Sequence, residues 1–196
     1  MARHRKGLAT FFAHQRGVVL PAGKFDTARW DRELRIVVLG LAVPTIAAFA
    51  KEIADRYGVK VDVAQLKPFL DPYARITAEA ANAHTRERLR EAAKTDDPKA
   101  AAEHVFEVAI GSRALAMAES KVTTEANLGR DYAAKESDVT EKRWVVTSGR
   151  PRTEHASING ETVGLGETFS NGAEWPGDPS LTVDQRANCS CIVDFS

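Results

Sequence analysis

The sequence predicts an α+β fold: a helix-rich N-terminal body, residues 1–137, followed by a small, turn-rich, β-containing C-terminal module, residues 138–196. Three observations predict it. Apolar residues recur at three- and four-residue steps through the first part of the chain, the period of a helix face. After Glu136-Ser137-Asp138 that period gives way to alternation. From there on Gly, Pro, Asn and Asp are dense, which marks short strands joined by turns. A chain of 196 residues is long enough for one or two domains with a core of their own.

The elements follow in order. Residues 8–15 read as a short helix, ended by Val18-Val19-Leu20-Pro21-Ala22-Gly23. A second helix starts at Asp26 or Thr27, either of which can cap free amides of a first turn. Trp30, Leu34, Val37, Val38 and Leu41 share one of its faces. Pro44 should kink or restart it, Ile46, Phe49, Ala50, Ile53 and Tyr57 continue the apolar face, and Gly58 stops it. Val59-Lys60-Val61-Asp62-Val63 alternates like a strand but is short enough for an extended connector. A helix over 70–93 follows, with Ile76, Ala80, Ala83 and Leu89 on one side and its charges on a solvated face. Asp97-Pro98 opens the next helix, the acid capping and the proline at the first helical position. It runs to about residue 118 on a stripe of Ala102, Val105, Phe106, Ala109, Ile110 and Leu115, loosened at Gly111-Ser112. Residues 122–135 are helical too, continuous with it or separate. Asn127 and Gly129 are poor helix formers there, which points to close backbone approach to the tail or to a break.

In the tail, residues 143–147 read as a strand. Asn159-Gly160 suits a tight hairpin turn, with Thr162-Val163 returning, and residues 191–195 make the closing strand. Trp144, Phe169 and Trp175 are its apolar centre.

Composition narrows the function. The share of hydrophobic residues, 43%, against 28% charged fits a soluble globular protein, and a net charge of zero gives no overall field towards nucleic acid. The basic start, Arg3, His4, Arg5 and Lys6, reads first as a solvated terminus and second as a DNA-binding arm. Cys189 and Cys191 are too close for an unstrained disulfide and read as reduced thiols of a cytoplasmic protein. No signal peptide is evident. The apolar run over 36–50, interrupted by Gly40 and Pro44, reads as a buried core helix short of a membrane span, so no membrane partner is expected. Gly164-Leu165-Gly166 lacks the third glycine of a phosphate loop, and no helix-turn-helix or finger spacing appears.

Three chemistries compete in the tail. His155, Cys189 and Cys191 are potential zinc ligands, with both thiols on one face of an extended segment and Asp178 the candidate fourth donor. A structural zinc would explain how so small a module holds its fold. Alternatively Cys189 and His155 are nucleophile and base of a hydrolase, with Arg152 lowering the thiol pKa, although nothing marks an oxyanion hole. The third and preferred reading is a structural polar network, in which Arg152 clamps Asp178 and Asn188 ties to loop backbone. On it the chain has no catalytic residues; the cofactor expected is none or, on the first reading, one structural zinc.

The order Lys142, Trp144, Arg152, His155, Gly160, Val163, Phe169, Gly172, Pro176, Gly177, Asp178, Pro179, Asn188, Cys189 and Cys191 resembles the C-terminal signature of the phage head morphogenesis family, the minor head proteins of the Mu F-like type. Thr124-Glu125 and Gly129 are similar to the helix pattern upstream of that signature. Some relatives carry Cys-x-x-Cys where this chain has residues 152–155, which fits a metal ancestry. The resemblance implies a phage or prophage minor head (capsid) protein acting in procapsid assembly. It would be in the virion, in the head interior or at the portal vertex, after assembly in the host cytoplasm. Its implied partners are the portal protein and capsid subunits, with packaged double-stranded DNA and its ejection as a further role. The runners-up are a Cys/His-dependent hydrolase or toxin-like effector, and a non-specific DNA-binding accessory protein.

Overall fold

The computed structural model describes the backbone of residues 1–196 and every side chain but that of Val183. The chain is α+β, largely helical, with one small antiparallel sheet near its C-terminal end.

Helix α1 (Ala2–Ala22) is longer than the sequence suggests. Pro21 lies in its last turn, one residue before the helix ends. The stop is Gly23, in the left-handed region (φ 61°), whose N–H donates to the Val19 carbonyl. The basic start is therefore the first turn of a helix: His4 is buried, and the Arg3 guanidinium donates to the Gly40 carbonyl at 2.7 Å.

Helix α2 (Thr27–Tyr57) is capped as expected, Asp26 Oδ1 accepting from the Arg29 amide at 3.0 Å. Trp30, Leu34, Val38 and Leu41 are buried as one stripe. The helix passes through Pro44 without restarting there. Because Gly40 and Pro44 do not end it, α2 is long and apolar enough to cross a membrane, and about a third (33%) of its most apolar window is buried. Gly58 (φ 70°) ends it, with the Val59 N–H returning to Ala54 O. Residues 59–63 form no strand, and one 3-10 turn, Val63–Leu66, leads on.

Helix α3 (Lys67–Ala92) buries a different face from the one its apolar residues suggest. Ile76, Ala80 and Ala83 are exposed, whereas Tyr73, Ala74, Thr77, Ala78, Ala81, Asn82 and Thr85 are buried. Polar partners explain the choice. Gln15 Nε2 donates to Asn82 Oδ1 (3.0 Å), Asn82 Nδ2 donates to Asp31 (2.8 Å), and Arg113 donates to Thr85 Oγ1 (2.8 Å). A buried polar side chain is tolerated where it is paired. Asp97 caps α4 (Pro98–Val108) through the Ala100 amide. The loosening at Gly111-Ser112 is a single π-turn, Ala109–Arg113, after which α5 (Ala114–Lys135) carries straight on.

Contacts group the chain into two compact units, Met1–Leu41 with Leu66–Ala118, and Ala42–Gln65 with Glu119–Ser196. The grouping does not follow a boundary at residue 137: the second unit takes the C-terminal parts of α2 and α5 along with the whole tail. Inside it, β1 (Glu141–Val145) is central, flanked antiparallel by β2 (Thr162–Gly164) and β3 (Ile192–Phe195). Trp144 faces Val193 across the β1–β3 register. The core joins Trp144, Phe169, Leu181, Val193 and Phe195 to Ala50 and Ile53 of α2 and to Ala133 and Ala134 of α5.

The α5 segment over 124–129 is buried residue after residue, so no side of it can carry bulk at random. At Gly129 a Cβ would sit 2.4 Å from Ile46 O, so the close approach read from this glycine is to α2. Asn159-Gly160 does turn the chain back onto β1, with Gly160 N–H donating to Trp144 O and Asn159 Oδ1 accepting from Val146 N–H. It is not a two-residue hairpin, since a short helix, α6 (Thr153–Ser157), intervenes between the strands.

Candidate metal centre

His155 sits in α6, Cys189 follows the short helix α7 (Val183–Arg186), and Cys191 leads into β3. The fold brings these three together and buries them, at 2%, 4% and 3% exposed. His155 Nδ1 lies 3.6 Å from Cys189 Sγ and 3.6 Å from Cys191 Sγ, and all three donor atoms fall within 4.8 Å of one another. A tetrahedral zinc with Zn–N of about 2.05 Å and Zn–S of about 2.3 Å sets its N···S edges at about 3.6 Å. The spacing is thus that of a ligand set, and the cluster can hold a metal ion.

The Cys-x-Cys backbone is held in place by side chains. Thr123 Oγ1 donates to Cys189 O (2.6 Å), Thr147 Oγ1 to Ser190 O (2.5 Å), and Asn127 Nδ2 to Cys191 O (3.0 Å). Three successive carbonyls are thereby fixed, which pre-orients both sulfurs. Asn188 contributes through its backbone, standing at φ 52°, a left-handed turn that Asn tolerates. Asn127 does more than its one donor bond: it also donates to Pro176 O and accepts from the Val193 amide. Its poor helix propensity is explained by this three-way tie.

The Trp144 ring meets His155 edge-on (5.3 Å between centroids) and Phe169 likewise (5.2 Å), so the imidazole is packed as well as placed. Burial, then the nearby Arg152, hold His155 below its ordinary pKa, which keeps the ring neutral as a ligand must be. The thiols are coupled: the hydrogen bond from Cys191 pulls Cys189 down, and the same bond, with burial, pushes Cys191 up. One sulfur is therefore the readier thiolate, and a metal must displace the proton of the other.

Asp178 is not a fourth ligand. Its oxygens accept from the Glu174 amide (2.7 Å) and the Ser180 amide (2.8 Å), and Trp175-Pro176-Gly177-Asp178 is a tight turn closed by Asp178 N–H to Trp175 O. Gly177 (φ 87°) takes the position that favours glycine, against Thr124, whose hydroxyl donates to Gly177 O. Nor does Arg152 clamp Asp178; it donates to Ala187 O. Phe169 and Gly172 form the ends of a second turn, Gly172 N–H donating to Phe169 O. Gly160, Gly172, Pro176, Gly177, Asp178 and Pro179 are thus turn-formers around the centre. The Asp178 end of the expected network is a set of local turn bonds, and Arg152 ties to a carbonyl distant in the chain instead.

Sequence reasoning missed one buried group. Lys142 and Asp131, 0% and 1% exposed, face each other at 3.6 Å, with Lys135 on the other Asp131 oxygen at 2.8 Å. Burial pushes Asp131 up and Lys142 down. The signal available was a charged residue at an inward position of a strand whose neighbours alternate.

No family model matches the chain, and no solved structure matches it significantly. Among curated proteins, it is 29% identical over 90 residues to the uncharacterized protein YqbB of Bacillus subtilis (strain 168). That match covers 42% of this chain and spans 29% of YqbB's length.

Proposed function

We propose that this chain is a phage or prophage minor head protein acting in procapsid assembly, and that its C-terminal unit is a structural module built on one zinc held by His155, Cys189 and Cys191. One observation supports it above the others. The signature residues over 142–191 and the upstream Thr124, Glu125 and Gly129 all belong to one compact unit, and Thr124 bonds directly to the Gly177 turn. A pattern scattered over roughly seventy positions thus serves a single fold, as expected of a family signature.

On this reading the partners are portal and capsid subunits and the location is the virion, with host cytoplasm during assembly. Packaged double-stranded DNA is a secondary contact. The centre works by holding the tail in one conformation; His155 and the two thiols serve as ligands, and no substrate is turned over. The test is affinity capture of the tagged full chain from cells making particles, with mass spectrometry of what accompanies it. Portal or capsid subunits in stoichiometric yield are expected. Their absence, with a soluble enzyme or immunity-type partner in their place, would overturn the assignment.

A further inference from the structure

We infer that the zinc centre has three protein ligands and one exchangeable position, which takes a small anion from solution through the pocket beside it. This rests on the zinc reading above and deepens it. The cluster provides three donors among the described residues, and the acid that the sequence offered as a fourth, Asp178, accepts from two amides of its own turn.

All three ligand residues line one pocket of about 250 Å³, open to solvent. A water occupies about 30 Å³ of liquid volume, so the space fits a small anion with a few waters and little more. Trp144 is packed against the His155 ring and does not line the pocket, so an ion held by the three residues would be reached from the pocket.

Charge selects the ligand. A divalent zinc with two thiolates and a neutral imidazole is itself neutral. The pocket wall adds Arg150 and Arg152 and no carboxylate. Two guanidinium groups beside a neutral centre favour an anionic fourth ligand over water alone. Arg152 is tied to Ala187 O, whereas Arg150 is exposed. Arg150 is thus the group that can close on an incoming anion.

The experiment loads the full-length chain with cobalt(II) in place of zinc and titrates it with thiocyanate while the visible spectrum is recorded. Sulfur-to-cobalt charge transfer and tetrahedral bands are expected on loading, with a saturable shift of the visible bands as thiocyanate binds. Arg150→Gln should keep the loaded spectrum and weaken thiocyanate binding about tenfold, the size of one charge-assisted hydrogen bond. Cobalt bands that thiocyanate leaves unmoved would overturn this inference alone, since the fourth donor would then come from the protein. Unchanged thiocyanate affinity in Arg150→Gln would overturn the arginine's part. Absence of any charge-transfer band on loading would overturn the zinc reading as well.

Discussion

Lys142 and Asp131 show how a single buried pair constrains the tail. Lys142 shares the inward face of β1 with Trp144, and both it and Asp131 are sealed from water. Removing one member of such a pair leaves a charge buried without compensation. Lys142→Met should therefore cost roughly 3 kcal/mol of unfolding free energy, measured by urea titration, while Lys142→Met with Asp131→Leu should recover most of it. A single variant as stable as the parent would show that Lys135 alone neutralises Asp131. Lys121 gives a pH test. Burial, then repulsion from Arg186, against the pull of Glu125, lower its pKa to about 8. The folded chain then holds its proton less tightly than the unfolded chain does. The penalty is fully present below pH 8 and lifts as pH rises towards the ordinary lysine value near 10.5. Stability should rise across that window, and Lys121→Met should flatten the rise; equal slopes in parent and variant would contradict it.

Elements were legible where local chemistry decides them. Asp26 and Asp97 cap the helices they were expected to cap, Gly58 ends α2, and the 191–195 stretch does close the sheet. They were misread where a partner far along the chain decides. The α3 face is set by Gln15, Asp31 and Arg113 pairing with Asn82 and Thr85, which no window around residue 76 can contain. Pro44 was read as a point of kink or restart and the stretch around Pro21 as a helix end, yet both prolines lie inside continuous helices. Helices α6 and α7, five and four residues long, are too short to leave a period. Of the site, the cluster of His155, Cys189 and Cys191 that could hold an ion was legible by residue type. Asp178 and Arg152 were assigned to each other because both are charged, whereas nearby backbone groups engage each of them first. Packing of α5 gives its own prediction. Gly129→Ala places a methyl 2.4 Å from Ile46 O, a contact with rigid backbone. It should cost about 1–3 kcal/mol by denaturant titration, and a neutral result would mean that α2 and α5 separate more readily than their packing implies.

For the molecule as a whole, the second unit has a small sheet, two very short helices and many turns, and its strands are three to five residues long. Such a structure depends on something other than strand length. The α5 segment supplies one support, through Thr123, Thr124 and Asn127; a bound ion would supply the other by cross-linking α6 to the segment entering β3. The most direct measurement is the zinc content of the chain purified without chelator, read together with its thermal unfolding before and after chelation. The account predicts one zinc per chain, lost in Cys191→Ser, and a clear fall in melting temperature when zinc is stripped. A metal-free chain whose melting is indifferent to added zinc and to chelator would contradict it, and His155, Cys189 and Cys191 would then be packing residues of an apolar core.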